Sequence, residues 1–393
     1  MTPYNFDTPV ERRHTDCLKW DALKERFGRP DLLPLWVADM DFETPGFVTR
    51  ALQERMQHPV FGYTLDPKDY WTTVQQWIED HHQWHVDTQW FSYIPGIVKG
   101  IGMAINVFTQ PGDKIIIQPP VYHPFRFAIL GNDRQMVENP LRMQPDGTYD
   151  MDFEQLAQVA DGCKMLVMAN PHNPGGRIWP EETLRRLAHF CHERHILVIS
   201  DEIHCDMALF GHKHHPFASV SDEAAQCSIT FGAPTKTFNM AGIVSSWAII
   251  PNKEIREKFF KWLGANEFNE PNMFAPIATV AAFKEGEQWR KDMLAYIEQN
   301  ILFVEDYCRE HLPMVKPLRP EASFLVWMDC RALHLDHDSL VDLFVNRAHL
   351  ALNDGEMFGR GGEGFMRLNV GTQRATLKQA LDQLREAIET LKK

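Results

Sequence analysis

Short, almost continuous apolar runs alternate along the chain with segments in which apolar residues recur every three or four positions. The runs predict buried strands, and the spaced segments predict helices. Strands are expected at 114–118, 165–169, 196–200, 228–231 and 246–250, and later at 323–328 and 365–370. Strands that are apolar throughout and alternate with helices are typical of a parallel or mostly parallel sheet with helices on both faces.

Helical spacing is clearest after the Pro95-Gly96 break, where Ile97, Ile101 and Ala104 would share one face. Other helices are expected near 21–27, 46–57, 70–82, 181–194, 251–263, 271–311, 337–348 and 376–392, with 288–311 as one long helix. We therefore predict an α/β fold: a large domain with a mostly parallel sheet flanked by helices, and a smaller α+β domain formed by the C-terminal part and the N-terminal arm. The expected boundaries are 1–45 for the arm and small-domain segment, 46–287 for the large domain and 288–393 for the small domain.

Composition and charge narrow the class of protein. The chain has 393 residues, 44% of them hydrophobic, which is ample for a globular core. A formal net charge of −13 argues against a nucleic-acid or anionic-membrane partner. None of the seven cysteines is in CxxC spacing, so we expect reduced thiols in a cytoplasmic protein. We also expect no signal peptide and no membrane span.

Polar residues follow the predicted strands, at the sheet edge where ligands of such folds gather. Tyr122 follows the first strand, Asn173 the second, Asp201 the third and Lys236 the fourth. Each has an ordinary alternative: a half-buried aromatic, a turn residue, a backbone cap and a lysine whose charge stays in water. Taken singly, the alternatives are the stronger interpretation.

Together these residues predict a site for pyridoxal 5'-phosphate (PLP). Lys236 lies among apolar residues, and desolvation lowers the pKa of an ammonium, so its amine can become a nucleophile that forms a Schiff base. Gly96, Ile97 and Val98 open an apolar helix, and their amides could bind a phosphate. Tyr122 could stack on the cofactor ring, and Asn173 could donate from its side-chain amide to an oxygen of the cofactor. Asp201 could pair with a protonated ring nitrogen.

The loop 34–45 places two acids, Asp39 and Asp41, in an apolar surrounding that includes a tryptophan. The acids could cap backbone amides in a turn-rich connection. A role in the pocket is about as well supported by the sequence, so both interpretations stay open.

The order of motifs PGIVKGI, VYHPF, NPHNPGG, SDEIH, TKTFNMAG and RLNVGTQR resembles the fold-type I, aminotransferase class I/II superfamily of PLP enzymes. More narrowly, PLWVADMDF, FGYT, PPVYHPF, NPHNPGG and SDEIHCD resemble its cystathionine β-lyase-like branch, the C–S lyases. The similarity runs from about Leu35 to Arg374, nearly the whole chain.

The resemblance implies roles for the residues at the strand ends. Lys236 would bind the cofactor covalently, Asp201 would pair with the pyridine nitrogen and Asn173 with the phenolate oxygen. Tyr122 would stack on the ring, and the amides of residues 96–98 would bind the phosphate. By the same resemblance, Lys236, Asp201 and Tyr122 are the expected catalytic residues.

The resemblance also implies a homodimer with shared active sites and a small amino-acid substrate. Tyr63, in FGYT, would reach the phosphate of the neighbouring subunit. Arg367, in RLN, would bind the substrate α-carboxylate through a bidentate pair, the geometry that guanidinium suits best. Trp36 and Ala38 would contribute to substrate binding.

Three positions depart from the common aminotransferase pattern. Many relatives carry Tyr three residues after the aspartate, where this chain has His204, as the C–S lyase branch does. A hydroxyl before the lysine is replaced by Ala233, so Thr235 is expected to supply a phosphate contact. A common phosphate-binding Arg is replaced by Val244, which shifts phosphate binding toward backbone amides and Tyr63.

Histidines occur in three groups that invite a metal interpretation: 81, 82 and 85; 192 and 195; and 212, 214 and 215. The first contains a pair in ligand spacing, but 192–195 is one residue short of HExxH. We predict surface histidines in all three groups and no metal. The Gly-rich stretch 359–364 does not follow a strand and open a helix, so we expect a flexible turn near the pocket rather than a dinucleotide site.

The function implied by the resemblance is a PLP-dependent C–S β-lyase that acts on cystathionine, cysteine or a similar amino acid. An aminotransferase would use the same groups and is the first alternative. A regulatory protein-binding role on this fold is the third hypothesis, and it belongs to a different functional class.

Overall fold

The computed structural model describes residues 4–391. Its α-helices are α1 (Leu18–Asp21), α2 (Leu23–Phe27), α3 (Gly46–Met56), α4 (Tyr70–His82), α5 (Ile97–Phe108), α6 (Pro124–Leu130), α7 (Phe153–Val159), α8 (Glu181–Glu193), α9 (Asp222–Gln226), α10 (Lys253–Ala265), α11 (Phe274–Glu285), α12 (Glu287–His311), α13 (His337–Asp342) and α14 (Arg374–Leu391). Its strands are β1 (Leu33–Pro34), β2 (Phe91–Tyr93), β3 (Lys114–Ile117), β4 (Gln135–Glu138), β5 (Arg142–Met143), β6 (Tyr149–Asp150), β7 (Cys163–Ala169), β8 (Leu197–Asp201), β9 (Ser228–Gly232), β10 (Trp247–Ile249), β11 (Lys316–Leu318), β12 (Leu325–Asp329), β13 (Leu350–Ala351), β14 (Asn353–Asp354) and β15 (Phe365–Asn369).

A seven-stranded sheet forms the centre of the large domain, in the order β2-β10-β9-β8-β7-β3-β4. The five strands from β9 to β4 are parallel, whereas β10 runs antiparallel to both of its neighbours. The prediction of a mostly parallel sheet flanked by helices is therefore confirmed. The sequence missed β2 and β4, which are short edge strands and lack the continuous apolar run of the central strands.

The apolar runs of the central strands are buried on both faces. Alternate residues of β3, β7 and β8 belong to different core clusters: Ile116, Leu166 and Val198 to one, and Ile115, Val167 and Ile199 to the other. Because each face packs against helices, both sets of side chains must be apolar. This explains why these strands read as continuous apolar runs in the sequence.

The register of the central strands sets where the polar residues lie. Ala169 at the end of β7 pairs with Asp201 at the end of β8, and Asp201 pairs with Phe231 near the end of β9. The loops that follow these three strands therefore start level with one another at one edge of the sheet. Asp201 itself is the last residue of β8, one position beyond the predicted strand.

The C-terminal part contains a four-stranded antiparallel sheet in the order β11-β12-β15-β14. Strand β1 from the N-terminal part pairs in parallel with β13. The largest apolar cluster runs from Phe6 to Ile388, and so includes residues from both ends of the described chain. The predicted domain boundaries stay a prediction, although α12 begins at Glu287, next to the second boundary.

Several predicted helices differ in detail from those in the structure. The helix near 21–27 is two short helices, since Ala22 leaves the helical conformation between them. By contrast, the stretch 271–311 is divided before one long helix, as expected; the division is at Gly286, where a Cβ would lie 2.1 Å from the Ala282 carbonyl oxygen and 2.3 Å from the Phe238 ring. The helix near 337–348 ends as α13 and continues as a π-helical turn, Leu343–Arg347. Lys392, in the last predicted helix, lies outside the described residues.

In residues 4–391, no helix combines the length and the apolar character that crossing a bilayer requires.

Candidate active site

Lys236 lies in the loop after β9, at the edge of the sheet where the central strands end. Its Nζ donates a hydrogen bond to the backbone carbonyl of Ala38 at 2.5 Å. Burial lowers the pKa of Lys236 to about 8; Asp39 and Asp201 act in the opposite direction, and Arg367 adds to the decrease. With this pKa, about a tenth of the amine is neutral and nucleophilic at pH 7.

Asp201 is the last residue of β8, the strand next to β9, and is only 6% exposed. Its Oδ1 accepts a hydrogen bond from the amide of Ile203 at 3.1 Å. Burial raises the pKa of Asp201 to about 7, and the interactions with the Ile203 amide and Lys236 offset this only in part. A buried carboxylate in this state would be stabilised by a further cation.

Arg367 lies on β15 and is 3% exposed. Its Nη1 donates to Asn173 Oδ1 at 2.9 Å, and its Nη2 donates to the Trp36 carbonyl at 3.1 Å and to Asn353 Oδ1 at 2.8 Å. Among the described residues no carboxylate forms an ion pair with this guanidinium, and its Nε has no partner. Burial lowers the pKa of Arg367 to about 10. A buried cation whose partners are all neutral is suited to receive a carboxylate from a ligand.

Asn173 and Tyr122 lie in the loops after β7 and β3. The Asn173 side chain is 7% exposed, and because Arg367 uses its Oδ1, the amide nitrogen is left as a donor. Burial raises the pKa of Tyr122, with Asp201 acting in the same direction.

The predicted phosphate cradle lies at the N-terminus of α5. Gly96 has a φ of +117°, a backbone conformation that favours glycine. Within the described part of the chain no side chain caps this helix, so the first amides remain available to an anion. Ile97 and Val98 supply the amides that follow Gly96.

His204 and Thr235 are both buried close to Lys236. His204, in the turn after β8, is 4% exposed, and its Nδ1 has no hydrogen-bond partner. Burial lowers the pKa of His204 to about 3, and the nearby charges of Lys236 and Arg367 lower it further. Thr235 precedes Lys236 directly and is 7% exposed.

Tyr63 is the one expected cofactor residue that the single chain does not bring to this group. Its side chain is fully exposed, in a segment that also exposes Val60, Phe61 and Leu65. This segment lines a cavity of about 650 Å³ together with residues 269–273. The position fits a residue that would serve a different subunit.

A buried charge cluster fixes the loop 36–42 beside Lys236. Arg12 binds both oxygens of Asp39, at 3.0 and 2.6 Å, and Asp41 at 2.7 Å. Lys19, whose side chain is fully buried, binds Asp41 at 2.8 Å. The interpretation of Asp39 and Asp41 as caps of backbone amides is therefore wrong. Two acids in an apolar loop indicate that cationic partners must lie nearby, but the sequence does not show which residues they are.

Two asparagines hold the backbone of the same loop. Asn369 Nδ2 donates to the carbonyls of Val37 and Asp39, each at 2.6 Å. Asn239 accepts from the Met40 amide and donates to the Met40 carbonyl. Ala38 thus contributes to the site through its carbonyl oxygen, which accepts from Lys236, and Trp36 through the carbonyl that binds Arg367.

Two of the predicted surface histidines are buried. The ring of His82 binds Asp206 Oδ1 at 2.9 Å, and that of His214 binds Glu202 Oε2 at 2.8 Å. The surface interpretation is wrong for both, because helical or loop spacing gave no sign of these distant carboxylates. His85 lies beyond the end of α4 and is exposed, as predicted.

The Gly-rich stretch 359–364 packs on the loop that carries Tyr122. A Cβ on Gly359 would lie 3.2 Å from Pro119, and one on Gly361 would lie 3.2 Å from Pro120. The Val121 amide donates to the Phe358 carbonyl at 2.9 Å. The glycines thus allow close approach of two backbones beside the candidate site.

Comparison with known proteins identifies the class to which this fold and site belong. Residues 30–384 match the family described as aminotransferase class I and II. The cystathionine β-lyase PatB of Bacillus subtilis is 42% identical over 386 residues, covering 98% of this chain and all of that protein.

Two solved structures extend the comparison. Cystalysin from Treponema denticola, which contains a PLP cofactor, has a TM-score of 0.95 at 33% identity and covers 99% of each chain. The PLP-bound C–S lyase from Staphylococcus hominis, in complex with L-cycloserine, has a TM-score of 0.91 at 31% identity and covers 98% of this chain and 99% of that chain.

The chain therefore belongs to the aminotransferase class I and II family, in its cystathionine β-lyase-like branch. The predictions of a fold-type I architecture, of PLP as cofactor and of a carbon–sulfur lyase as enzyme class are confirmed.

Proposed function

We propose that the chain cleaves the Cβ–S bond of cystathionine, cysteine or a similar amino acid, giving a thiol, pyruvate and ammonia. The observation that carries the proposal is the buried Lys236 amine, with a pKa of about 8, next to the buried Asp201 carboxyl, with a pKa of about 7. The cystathionine β-lyase of Bacillus subtilis, similar over nearly the whole length, supports the choice of substrate.

The residues at the sheet edge fit PLP. The neutral amine of Lys236 matches the aldehyde, and Asp201, which lacks a cationic partner of its own, matches the protonated ring nitrogen. Asn173 has an amide donor left for the phenolate oxygen. The uncapped N-terminus of α5, from Gly96 through Ile97 to Val98, matches the phosphate.

Bound in this way, PLP would supply an electron-accepting ring for the electron pair that remains when the Cα proton leaves. Lys236 Nζ would take that proton, which requires an amine that is neutral at the working pH. Asp201 would keep the proton on the ring nitrogen. Departure of the thiolate from Cβ and hydrolysis would then complete the elimination.

Arg367 would bind the substrate α-carboxylate. The guanidinium is already oriented by Asn173, Asn353 and the Trp36 carbonyl, so little side-chain freedom is lost on binding. The Ala38 carbonyl, which accepts from Lys236 Nζ in this structure, would orient that amine toward the substrate.

The other expected cofactor residues surround this group. Tyr122 would lie on the cofactor ring, and its hydroxyl is close enough to Asp201 to feel that charge. His204 would remain a neutral imidazole, since burial lowers its pKa to about 3. Thr235 would add a hydroxyl donor for the phosphate.

The proposal includes a homodimer with shared sites. The exposed segment with Val60, Phe61, Tyr63 and Leu65 is an apolar surface that a second subunit would cover, and Tyr63 would then reach the neighbour's phosphate. We also infer a cytoplasmic protein, which the seven unpaired cysteines support.

The experiment is incubation of the PLP-loaded enzyme with cystathionine alone, without a keto acid. A lyase keeps releasing pyruvate and thiol for many turnovers. An aminotransferase, the alternative within the same family, stops after one equivalent of amino acid per site. Consumption of only one equivalent of cystathionine per site would overturn the proposal. The same assay with aromatic amino acids would define substrate preference.

A further inference from the structure

Two groups of histidines that are far apart in the sequence converge on one cavity outside the candidate active site. His81 and His82 at the end of α4 line it from one side, and His212 and His214 line it from another. The cavity has a volume of about 390 Å³ and is also lined by Cys205. The proposed elimination reaction uses none of these side chains.

Three potential metal ligands lie close together in this cavity. A ring nitrogen of His82, the sulfur of Cys205 and a carboxylate oxygen of Asp206 are all within 4.8 Å of one another. The ring of His82 is 2.9 Å from Asp206 Oδ1. Cys205 and Asp206 are adjacent in a 3-10 turn, Cys205–Met207, so their positions are linked.

We propose that His82, Cys205 and Asp206 form a binding site for a divalent transition-metal ion, with Zn²⁺ as the best match. Imidazole, thiolate and carboxylate are the ligands that Zn²⁺ takes in proteins. With metal–ligand distances of about 2.0–2.3 Å, the ligand atoms of a tetrahedral site lie roughly 3.3–3.7 Å apart. The three atoms here need to move by about an ångström or less to reach that geometry.

The charges around the cavity favour a cation at Cys205. The carboxylate of Asp206 lies within 4.8 Å of the Cys205 sulfur and supplies negative charge beside it. On binding, the Zn²⁺–sulfur bond would form as the thiol proton is released to water, with no change in oxidation state. The positive side chains nearby are Lys213, which is exposed, and Arg290, which pairs with Glu287 and donates to the Asp206 carbonyl at 3.0 Å.

A further histidine lies next to these ligands. His214 is only 6% exposed, its Nδ1 has no hydrogen-bond partner among residues 4–391, and its ring centroid is 5.3 Å from that of His82. Its other nitrogen binds Glu202, an arrangement that orients histidines around metal sites.

A variant that tests this proposal must remove metal binding without disturbing the packing of the protein. Asp206 also accepts from the Trp77 indole at 3.0 Å, so loss of either His82 or Asp206 would weaken the fold with or without a metal. Among the described residues, the Cys205 sulfur donates no hydrogen bond, so Cys205→Ser removes the thiolate at little structural cost.

The experiment is titration of the chelator-treated, PLP-loaded enzyme with Zn²⁺, followed by calorimetry, and with Co²⁺, followed by the absorption of a cobalt–thiolate bond. We expect one tight site per chain. Cys205→Ser should weaken Zn²⁺ binding by more than about tenfold and abolish the thiolate absorption. Zn²⁺ should raise the unfolding temperature of the original protein but not that of the variant.

Two control variants come from the chain itself. Cys17→Ser removes another partly buried thiol, and His189→Ala disrupts His189, Glu193 and Glu223, which also lie within 4.8 Å of one another but have no thiol. Both should bind Zn²⁺ as tightly as the original protein. The proposal is wrong if no tight site is found, if Cys205→Ser binds equally well, or if His189→Ala is the variant that loses binding.

Discussion

At the scale of single residues, one physical cause acts in opposite directions on the two central groups. Burial disfavours charge, so it lowers the pKa of Lys236 to about 8 and raises that of Asp201 to about 7. Each group is thus held near the pH at which it can exchange a proton. Shifts of this kind occur often at catalytic sites, where burial tunes the pKa of the reacting groups.

The first prediction concerns Lys236. Lys236→Ala should reduce turnover of cystathionine by at least about 10²–10⁴-fold, since both the proton acceptor and the covalent link to PLP are lost. The checks are a steady-state assay and mass spectrometry after borohydride reduction, which should find no PLP attached to the chain. Lys253→Ala, an exposed lysine in an i,i+4 pair, is the matched control and should retain both. Normal turnover in Lys236→Ala would contradict the assignment.

The second prediction concerns Asp201 in the cofactor-free protein. Its pKa is about 7 when folded and near 3.8 when unfolded, so the folded state binds more protons between these values. The free energy of unfolding should therefore fall as pH rises from about 4 to 7, by up to about 4 kcal/mol from this group. Urea unfolding at several pH values measures the slope. Asp201→Asn should flatten it, and an unchanged slope would show that Asp201 is not a buried acid in solution.

At the scale of elements, the loop 36–42 is held more firmly than its sequence suggests. Arg12 and Lys19 bind its carboxylates, while Asn239 and Asn369 bind its backbone. This loop offers carbonyl oxygens to both Lys236 and Arg367. A segment from the N-terminal arm thus orients the groups at the carboxyl ends of the central strands.

The third prediction follows from the pair between Arg12 and Asp39. Arg12→Gln would leave Asp39 with only its longer contact to Lys19, at 3.8 Å, and Asp39 raises the pKa of the Lys236 amine. The acidic limb of the pH profile of kcat/KM should move to higher pH. Arg13→Gln, at the exposed neighbouring position, should leave the profile unchanged. A lower kcat without a shift of the acidic limb would mean that Arg12 acts through structure alone.

The fourth prediction concerns the break between α11 and α12. Gly286→Ala would push a methyl group against the Ala282 carbonyl and the Phe238 ring, and should destabilise the protein by about 1–3 kcal/mol. Gly264→Ala, in α10 where nothing lies within 4 Å, should instead stabilise it by about 0.5–1 kcal/mol. Chemical denaturation of the two variants measures both changes. Equal changes in stability for the two variants would mean that close packing is not the reason for a glycine at position 286.

At the scale of the whole molecule, the chain brings nearly all of the expected site to one edge of the sheet. The exception is Tyr63, which is fully exposed together with its apolar neighbours Phe61 and Leu65. An exposed apolar segment of this kind indicates an interface. In a two-fold dimer each subunit would supply Tyr63 to the other's site.

The fifth prediction tests that arrangement by mixing two inactive or weakened variants. Lys236→Ala and Tyr63→Ala, unfolded and refolded together, should recover about a quarter of the original activity at limiting PLP, since half of the dimers are hybrids with one intact site. Each variant refolded alone is the control. No recovery, or a monomer in sedimentation, would contradict shared sites.

The local pattern of the sequence was enough to predict the central strands and the residues that follow them. Apolar runs reflect burial of each strand on both faces, and this signal does not depend on distant partners. The motifs that follow these strands then placed Lys236, Asp201, Asn173 and Tyr122 at one edge, and their order implied the family. Short edge strands such as β2 and β4 lack this signal and were missed.

Only the tertiary structure decided which charged groups meet. Arg12 and Lys19 bind the acids of a loop more than 20 residues away, and His82 binds Asp206, 124 residues away. Ion pairs and buried histidines depend on partners that any stretch of sequence can supply, so no periodicity reveals them. Burial sets the pKa values of Lys236 and Asp201 in the same way, because desolvation is a property of the packed surroundings rather than of the residue.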